Sequence, residues 1–112
     1  MKKIEAIIRT SKFEEVKEAL SQMRIRFLSY SEVKGIGLEK AQGQVYRGTA
    51  YDADYIQRTK IEIIVAEEQV ESTMDCIMKA AYTGEIGDGK VFVIPIENLH
   101  RIRNKAEGAA AL

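Results

Sequence analysis

The residues best suited to chemistry lie in one short stretch, Thr83-Gly84-Glu85-Ile86-Gly87-Asp88-Gly89-Lys90. Its three glycines let backbone N–H groups approach and surround an anion, and Lys90 adds a cation beside them. The spacing of Gly84, Gly89 and Lys90 matches a P-loop motif. However, Val91 stands where the magnesium-binding Ser or Thr belongs, and a helical pattern rather than a strand precedes the stretch. The sequence therefore predicts either a phosphate-binding glycine nest or a plain glycine-rich turn before a strand.

Two arginines later in the chain could add to such a site. In an extended segment Arg101 and Arg103 would point to the same face, about 7 Å apart. Two guanidinium groups at that spacing can bind a polyphosphate, although a solvated pair of charges is the alternative.

Cys76 has no second cysteine to pair with and lies in a helical pattern, which favours a buried thiol. His100 has no partner at metal-ligand spacing, so metal binding is not expected.

The composition is that of one ordinary globular domain over residues 1–112. Apolar residues make up 46% of the chain and charged residues 30%, with 17 basic residues balancing 17 acidic ones. A net charge near zero argues against a general nucleic-acid or anionic-membrane surface. A single cysteine suits a reducing compartment, and no segment approaches the length of a membrane span. We therefore expect a cytoplasmic protein.

An internal repeat organises the elements that must position these residues. The segment Lys3-Ile4-Glu5-Ala6-Ile7-Ile8 returns as Lys60-Ile61-Glu62-Ile63-Ile64-Val65, and each copy is typical of a short strand. An amphipathic helical pattern follows each copy. Ser11 is predicted to cap the first helix, with Glu14 completing a capping box. The apolar helix faces comprise Phe13, Val16, Leu20 and Met23 in the first pattern, and Val70, Met74, Ile77 and Ala81 in the second.

Each helical pattern leads into another strand candidate, over residues 26–34 and 90–96. Two copies of strand-helix-strand give the order β-α-β-β-α-β, an α+β domain of ferredoxin-like type whose antiparallel sheet carries both helices on one face. Apolar residues on both sides of the strands, such as Ile7 and Ile8, would leave the second face poorly solvated. We therefore expect this face to be buried in a closed homo-oligomer.

Between the repeats, residues 35–58 show no sustained periodicity and hold several glycines and three tyrosines, Tyr46, Tyr51 and Tyr55. A connection of this length is either functional or a tolerated surface insertion. Tyrosine favours the first alternative because it brings contact area at a low entropic cost. The pattern predicts a long exposed loop after the second strand that docks on a partner.

With these features in place, the chain resembles the PII signal-transduction proteins of nitrogen regulation from Met1 to Arg103. Thr83-Gly84-x-Ile86-Gly87-Asp88-Gly89-Lys90-Val91-Phe92-Val93 is similar to the family's C-terminal signature. Tyr46-Arg47-Gly48-x-x-Tyr51 is similar to its modification-site motif. The resemblance implies a homotrimer that binds ATP or ADP in clefts between subunits. It also implies regulation of an ammonium transporter or an enzyme of nitrogen metabolism through the loop at residues 35–58.

The resemblance further implies the residues of each site. The phosphate-binding loop is residues 82–90, with Gly87, Asp88, Gly89 and Lys90, and the C-terminal segment 101–112 of the next subunit adds Arg101, Ile102 and Arg103. The adenine pocket is lined by Ile7, Ser29, Glu62 and Ile64, and the other nucleotide-binding residues are Gly35, Gly37, Leu38 and Glu39. Magnesium would be bound through Glu39. 2-Oxoglutarate would contact Gly37, Glu39, Lys40 and Arg58, and Tyr51 is the candidate uridylylation site.

Two residues of the effector site depart from the family pattern. Glu39 stands in place of the usual glutamine, and Arg58 in place of the usual lysine. The negative charge of Glu39 would face a dicarboxylate, whereas Arg58 keeps the cation with a different reach. The phosphate-site residues predict that nucleotide binding is retained. The two departures predict that the response to 2-oxoglutarate is weakened or altered.

A small ferredoxin-like enzyme that handles phosphate, such as an acylphosphatase or a slow ATPase, is the alternative function. No serine, cysteine or histidine is paired with a base at a recognisable spacing, which favours a regulator over an enzyme. The RRM class of RNA-binding domains shares the element order but needs aromatic residues on its strands. The two repeat strands contain none.

Overall fold

The computed structural model describes residues 1–25, 27–37 and 55–112. In this part of the chain the strands are β1 (Lys2–Arg9), β2 (Ser29–Ile36), β3 (Tyr55–Val65) and β4 (Gly89–Pro95). The helices are α1 (Phe13–Gln22) and α2 (Val70–Ala81), and a short 3-10 helix follows at Gly108–Ala111. The element order β1-α1-β2-β3-α2-β4 confirms the predicted α+β, ferredoxin-like class.

The strands form one antiparallel sheet in the order β2-β3-β1-β4. The two repeat segments are therefore neighbours at its centre, where Glu5 lies opposite Glu62. Because the copies run in opposite directions, the Lys-x-Glu of each meets that of the other on the diagonal. Lys3 forms an ion pair with Glu62, and Nζ of Lys60 lies 3.5 Å from Oε1 of Glu5. The repeat thus builds two reciprocal ion pairs across the centre of the sheet.

Alternate residues of β1 and β3 form the core together with the two helices. A strand turns successive side chains to opposite faces, so every second residue is buried on the helix side. The helices contribute the faces predicted from their apolar spacing, with Leu20 and Ile77 fully buried. The buried apolar residues are Ile4, Ala6, Ile8, Val16, Leu20, Ile61, Ile63, Val65, Ile77 and Ala81. Both helices therefore cover the same face of the sheet, as predicted.

The opposite face of the sheet, called the open face below, mixes apolar and charged side chains. Ile64, opposite Lys3, is 38% exposed, and Phe92, opposite Glu5, is 40% exposed. Apolar side chains on neighbouring strands form a surface that gains free energy when water is excluded from it. That sister subunits cover this face stays a prediction.

The predicted bounds of the long loop are wrong at both ends. β2 continues to Ile36 and β3 begins at Tyr55, so residues 35–36 and 55–58 belong to strands. Gly35 lies opposite Ile56 in the β2–β3 ladder. The strands extend over residues without an alternating pattern because ladder hydrogen bonds join backbone groups, which every residue here supplies. Strand β2 also begins later than residue 26, at Ser29. Tyr46 and Tyr51 lie outside the described residues.

The predicted capping box at the start of α1 is also wrong. A 3-10 turn at Thr10–Lys12 precedes the helix, so Lys12 occupies the N-cap position, and no side-chain cap hydrogen bond is found there. Ser11 lies inside this turn rather than at the N-cap that a capping box requires. A matching 3-10 turn at Glu67–Gln69 precedes α2, so the internal repeat extends into the helix starts.

Gly89, at the start of β4, leaves no room for a side chain. Its φ is +101°, and a Cβ there would lie 1.8 Å from the carbonyl oxygen of Ile7. Gly89→Ala must move β4 away from β1, so we expect a loss of at least about 2 kcal/mol in the free energy of unfolding, measured in urea at a fixed protein concentration. Gly108→Ala is the matched control. Gly108 has a φ of +64°, but its Cβ would meet no described atom within 4 Å, so we expect a loss of about 1 kcal/mol. Equal losses would contradict the steric role of Gly89.

Two buried threonines differ in whether the hydroxyl group is paired. Thr73 is 0% exposed, and its Oγ1 has no hydrogen-bond partner within the described ranges. The hydroxyl of Thr59 donates to Oγ1 of Thr10 at 3.1 Å. Valine keeps the shape of threonine without the hydroxyl. Thr73→Val should therefore raise the free energy of unfolding by about 1 kcal/mol, and Thr59→Val should lower it by about the same amount. Urea denaturation checks both, and a Thr73→Val protein no more stable than the parent contradicts the first expectation.

Candidate functional site

The glycine-rich segment joins α2 to β4 and closes on one of its own side chains. The carboxylate of Asp88 accepts hydrogen bonds from the N–H groups of Thr83 at 2.8 Å and Gly84 at 2.9 Å, and from the hydroxyl of Thr83. These bonds, led by those from Thr83 and joined by one from Arg9, hold the pKa of Asp88 far below its usual range. The anion that occupies this part of the glycine nest therefore belongs to the chain itself.

Arg9, the last residue of β1, fastens this turn to the sheet. Its Nε donates to Oδ1 of Asp88 at 3.1 Å, and its Nη2 donates to the carbonyl oxygen of Ile86 at 2.8 Å. The side chains of Arg9 and Asp88 are 26% and 24% exposed. Arg9 is not among the site residues predicted from the sequence. The internal repeat could have indicated its position. Antiparallel pairing of the two copies brings Arg9, the residue after Ile8, to the end of the sheet where β3 begins.

Arg58 lies opposite Arg9 in the β1–β3 ladder, and both guanidinium groups reach Gly87. A Cβ on Gly87, whose φ is +104°, would lie 3.0 Å from Nη2 of Arg58 and 3.2 Å from Nη2 of Arg9. Partial burial and the neighbouring charge of Arg9 lower the pKa of Arg58. The residue expected at the effector site therefore lies against the glycine-rich loop of its own chain.

The open face is positively charged at the end next to this loop, which we call the cationic end. Ile7 lies between Lys60 and Lys90 in the ladder, and residues two apart on one strand share a face. The carboxylates that contact these cations are Asp88 and Glu5. The cations are Arg9, Arg58, Lys60 and Lys90. Among the residues that the structure describes, four cations against two carboxylates leave a positive potential that favours an external anion.

Strand β2 ends and β3 begins at this same end of the sheet, where Ile36 lies opposite Tyr55. Gly35 lies in β2 opposite Ile56, two positions from Arg58, and Gly37 follows β2 directly. The structure thus brings the glycines expected at the nucleotide site to the cationic end. Four expected site residues lie outside the described part of the chain: Leu38, Glu39, Lys40 and Tyr51.

A groove of about 690 Å³ lies at the opposite end of the sheet. Ser29, Glu62 and Ile64, three of the four residues expected to line the adenine pocket, line this groove together with Lys3. The ion pair with Lys3 lowers the pKa of Glu62 and keeps it a hydrogen-bond acceptor. Other apolar residues of the lining include Phe27, Ile96, Leu99 and Leu112. Apolar walls with a few polar groups suit a flat heterocyclic ligand. The fourth expected residue, Ile7, lies at the cationic end instead.

The backbone after β4 makes a turn where an extended segment was expected. The N–H of Lys105 donates to the carbonyl oxygen of Arg101, and the N–H of Arg101 donates to that of Ala106, each at 2.8 Å. Lys105 adopts a φ of +59°, which reverses the chain. The prediction that Arg101 and Arg103 share one face of an extended segment is therefore wrong.

Arg101 holds the end of this segment against the groove. Its Nη2 donates to the carbonyl oxygens of Ala110 at 3.2 Å and Leu112 at 3.1 Å, and Leu112 lines the groove. Ile102 is 97% exposed, and Arg103 is also exposed. Within one chain, Arg101 therefore lies with the groove and not with the glycine-rich loop.

The chain is similar to known proteins over its whole length. The family model described as nitrogen regulatory protein P-II matches residues 1–106. The chain belongs to this family. It is 45% identical over 112 residues to the nitrogen regulatory protein P-II of Azospirillum brasilense and 46% identical to that of Cereibacter sphaeroides, with both chains fully covered. The crystal structure of Arabidopsis thaliana PII bound to citrate is similar, with a TM-score of 0.82 and 35% identity. The match covers 99% of this chain and 91% of that one.

Membership of the P-II family confirms the recognition made from the sequence motifs. The relatives are named as regulatory proteins, so the chain is a signal-transduction regulator of nitrogen metabolism. The alternative of an acylphosphatase-like enzyme or slow ATPase is not supported. Among the described residues, no helix combines the length and apolar character needed to cross a membrane.

The carboxylate of Asp88 makes stability depend on pH. Its pKa is lower in the folded chain than in the unfolded one, so its contribution is complete above about pH 3.9, the unfolded value, and is lost as the pH falls towards the folded value. We expect the urea midpoint of the parent to fall more steeply than that of Asp88→Asn between about pH 5 and pH 2. Asp75→Asn, at an exposed position of α2, is the control and should keep the parent's slope. Parallel profiles for the parent and Asp88→Asn would contradict this expectation.

Proposed function

We propose that the protein binds ATP or ADP in a homotrimer and passes the nucleotide state to a partner through residues 37–54, which connect β2 to β3. The observation that carries the proposal is the division of the expected site within one chain. The glycine-rich loop and the cations lie at one end of β1, and the groove with Ser29, Glu62 and Ile64 lies at the other. Lys3 at the groove and Arg9 at the loop are separated by about 20 Å along strand β1, given the rise per residue of a β-strand.

The cationic end suits the phosphates. The turn around Asp88 uses the N–H groups of Thr83 and Gly84, and the phosphates are assigned to residues 87–90 with Lys90 as their cation. Backbone amides in such a nest and a nearby ammonium group both favour an anion. The positive potential of this end would attract a polyphosphate from solution.

The groove suits the adenine base, and the groove would come from the next subunit. A nucleotide whose phosphates contact Lys90 and whose base enters the groove with Arg101 nearby requires the loop of one chain to face the groove of another. An assembly through the open face would also bury Ile64 and Phe92, whose exposure in one chain is costly. Closed rotational symmetry satisfies every such contact at once, and the family resemblance favours three subunits.

The position of the long loop links the nucleotide to the output. The loop leaves the sheet at Gly37 and returns at Tyr55, beside the cations expected to hold the phosphates. We assign an ammonium transporter or an enzyme of nitrogen metabolism as its partner, in the cytoplasm, and Tyr51 as the candidate uridylylation site. Magnesium would be bound through Glu39.

The effector response is proposed to be weakened or altered. Arg58, which lies against Gly87, offers a cation to a carboxylate, and the Arabidopsis PII structure carries bound citrate. The charge of Glu39 opposes a dicarboxylate such as 2-oxoglutarate at the same position. The two effects on the affinity for 2-oxoglutarate have opposite signs. We therefore do not expect 2-oxoglutarate to bind as tightly as is usual in the family.

Isothermal titration of ATP with magnesium into the purified protein tests the nucleotide proposal. We expect saturable binding and an affinity lowered about tenfold or more by Lys90→Ala, because a charge-assisted contact to phosphate is lost. Lys17→Ala is the control, since Lys17 pairs with Glu14 on the exposed side of α1, and it should bind as the parent does. Sedimentation of the same sample should give the mass of three chains.

A second titration, with 2-oxoglutarate present, tests the effector. We expect it to add little to the affinity for ATP. Strong synergy would show that Glu39 and Arg58 are tolerated substitutions. The absence of ATP binding to the parent would contradict the assignment of residues 87–90 and Lys90 to the phosphates.

A further inference from the structure

We propose that Arg9 is a positioning residue of the nucleotide site, which holds the glycine-rich loop in its binding shape through Asp88 and Ile86 before a nucleotide arrives. The proposal rests on the nucleotide-binding function proposed above and extends it to a residue outside the expected site. It assigns Arg9 to the loop and not to the phosphates.

The contacts of Arg9 hold the residues on both sides of Gly87, through the side-chain carboxylate of Asp88 and the backbone carbonyl group of Ile86. Nε and Nη2 lie on one edge of the planar guanidinium group and donate together, the first to Asp88 at 3.1 Å and the second to the carbonyl oxygen of Ile86 at 2.8 Å. A rigid fork defines an orientation as well as a distance, which the single ammonium group of lysine cannot do. Gly87, with its φ of +104°, is held between these two points.

Asp88 extends the hold of Arg9 to the start of the loop. The carboxylate that accepts the Arg9 hydrogen bond also accepts the N–H groups of Thr83 and Gly84. One side chain from β1 thereby fastens both arms of the turn to the sheet. A loop fixed in this way loses less conformational freedom when it binds a ligand, so its affinity is higher than that of a loose loop with the same contacts.

The charges divide the cations of this end into two roles. The guanidinium group of Arg9 is paired with Asp88 and partly buried. Arg58 and Lys90, by contrast, form no ion pair with any residue in the described ranges. An external anion finds its strongest partners in cations whose charge is not already compensated. Arg58 and Lys90 are therefore the contact cations, and Arg9 supports the loop that carries Gly87.

Hydrogen exchange of the nucleotide-free protein, combined with ATP titration, tests this role. The variants are Arg9→Ala, Arg9→Lys, Asp88→Asn and the Arg9→Ala/Asp88→Asn pair. We expect Arg9→Ala to speed exchange of the Thr83 and Gly84 amides by about tenfold and to weaken ATP binding by about the same factor. Arg9→Lys should recover little of either loss because it restores the charge without the fork. In the Asp88→Asn background, Arg9→Ala should change both quantities much less, since the shared contact is already weakened.

A direct contact between Arg9 and the phosphates would give a different pattern. Amide exchange without nucleotide would then be unchanged in Arg9→Ala, and Arg9→Lys would recover most of the affinity for ATP. The losses of ATP affinity caused by Arg9→Ala and Asp88→Asn would add in the double variant. That pattern overturns the proposal. Lys12→Ala, which removes the ion pair with Glu15 just after β1, is the control and should leave the exchange of the loop and the ATP affinity unchanged.

The two proposals fail separately. If the parent does not bind ATP, the proposed function is wrong, but the exchange rates of the nucleotide-free variants still decide whether Arg9 holds the loop. If the parent binds ATP and the loop amides exchange at the parent's rate in Arg9→Ala, the positioning role alone is wrong. Arg9→Lys, which keeps the charge and the long side chain, provides the same comparison if Arg9→Ala does not fold.

Discussion

The antiparallel pairing of β1 with β3 is the constraint on which the rest of the structure depends. Buried and more exposed residues alternate along both strands. A shift of one residue in either strand would therefore turn its buried side chains out to the open face. The reciprocal ion pairs, Lys3 with Glu62 and Lys60 with Glu5, form only in the observed register. The hydrophobic core and the charges on the opposite face therefore select the same alignment.

This alignment also builds the cationic end. It places Arg9 opposite Arg58, and the pairing of β1 with β4 places Lys90 opposite Ile7. Two adjacent arginines repel each other, and Asp88 offsets part of that repulsion from within the loop that it closes. The groove forms at the other end, where β1 begins and β3 ends. The length of the central strands separates the two halves of the site, which is why an assembly of chains suits the proposed function better than one chain alone.

Much of the fold could be predicted from the sequence, and the errors share one cause. The strands of the repeat and the helix faces were predicted correctly because each depends on a pattern within a few residues. The cap at Ser11, the bounds of the long loop and the extended form of Arg101 and Arg103 were wrong. Each of these depends on where backbone hydrogen bonds begin and end, and Lys105 reverses the chain at a positive φ without the glycine that would signal it.

The sequence by itself determined the fold class and the family, because periodicity and motif spacing are properties of neighbouring residues. Only the tertiary structure decided which side chain completes the loop. Arg9 and Asp88 are 79 positions apart in the chain, and neither residue carries a local signal of the other. Their contact arises from the pairing of β1 with its neighbours in the sheet, which brings the end of one strand to the start of another.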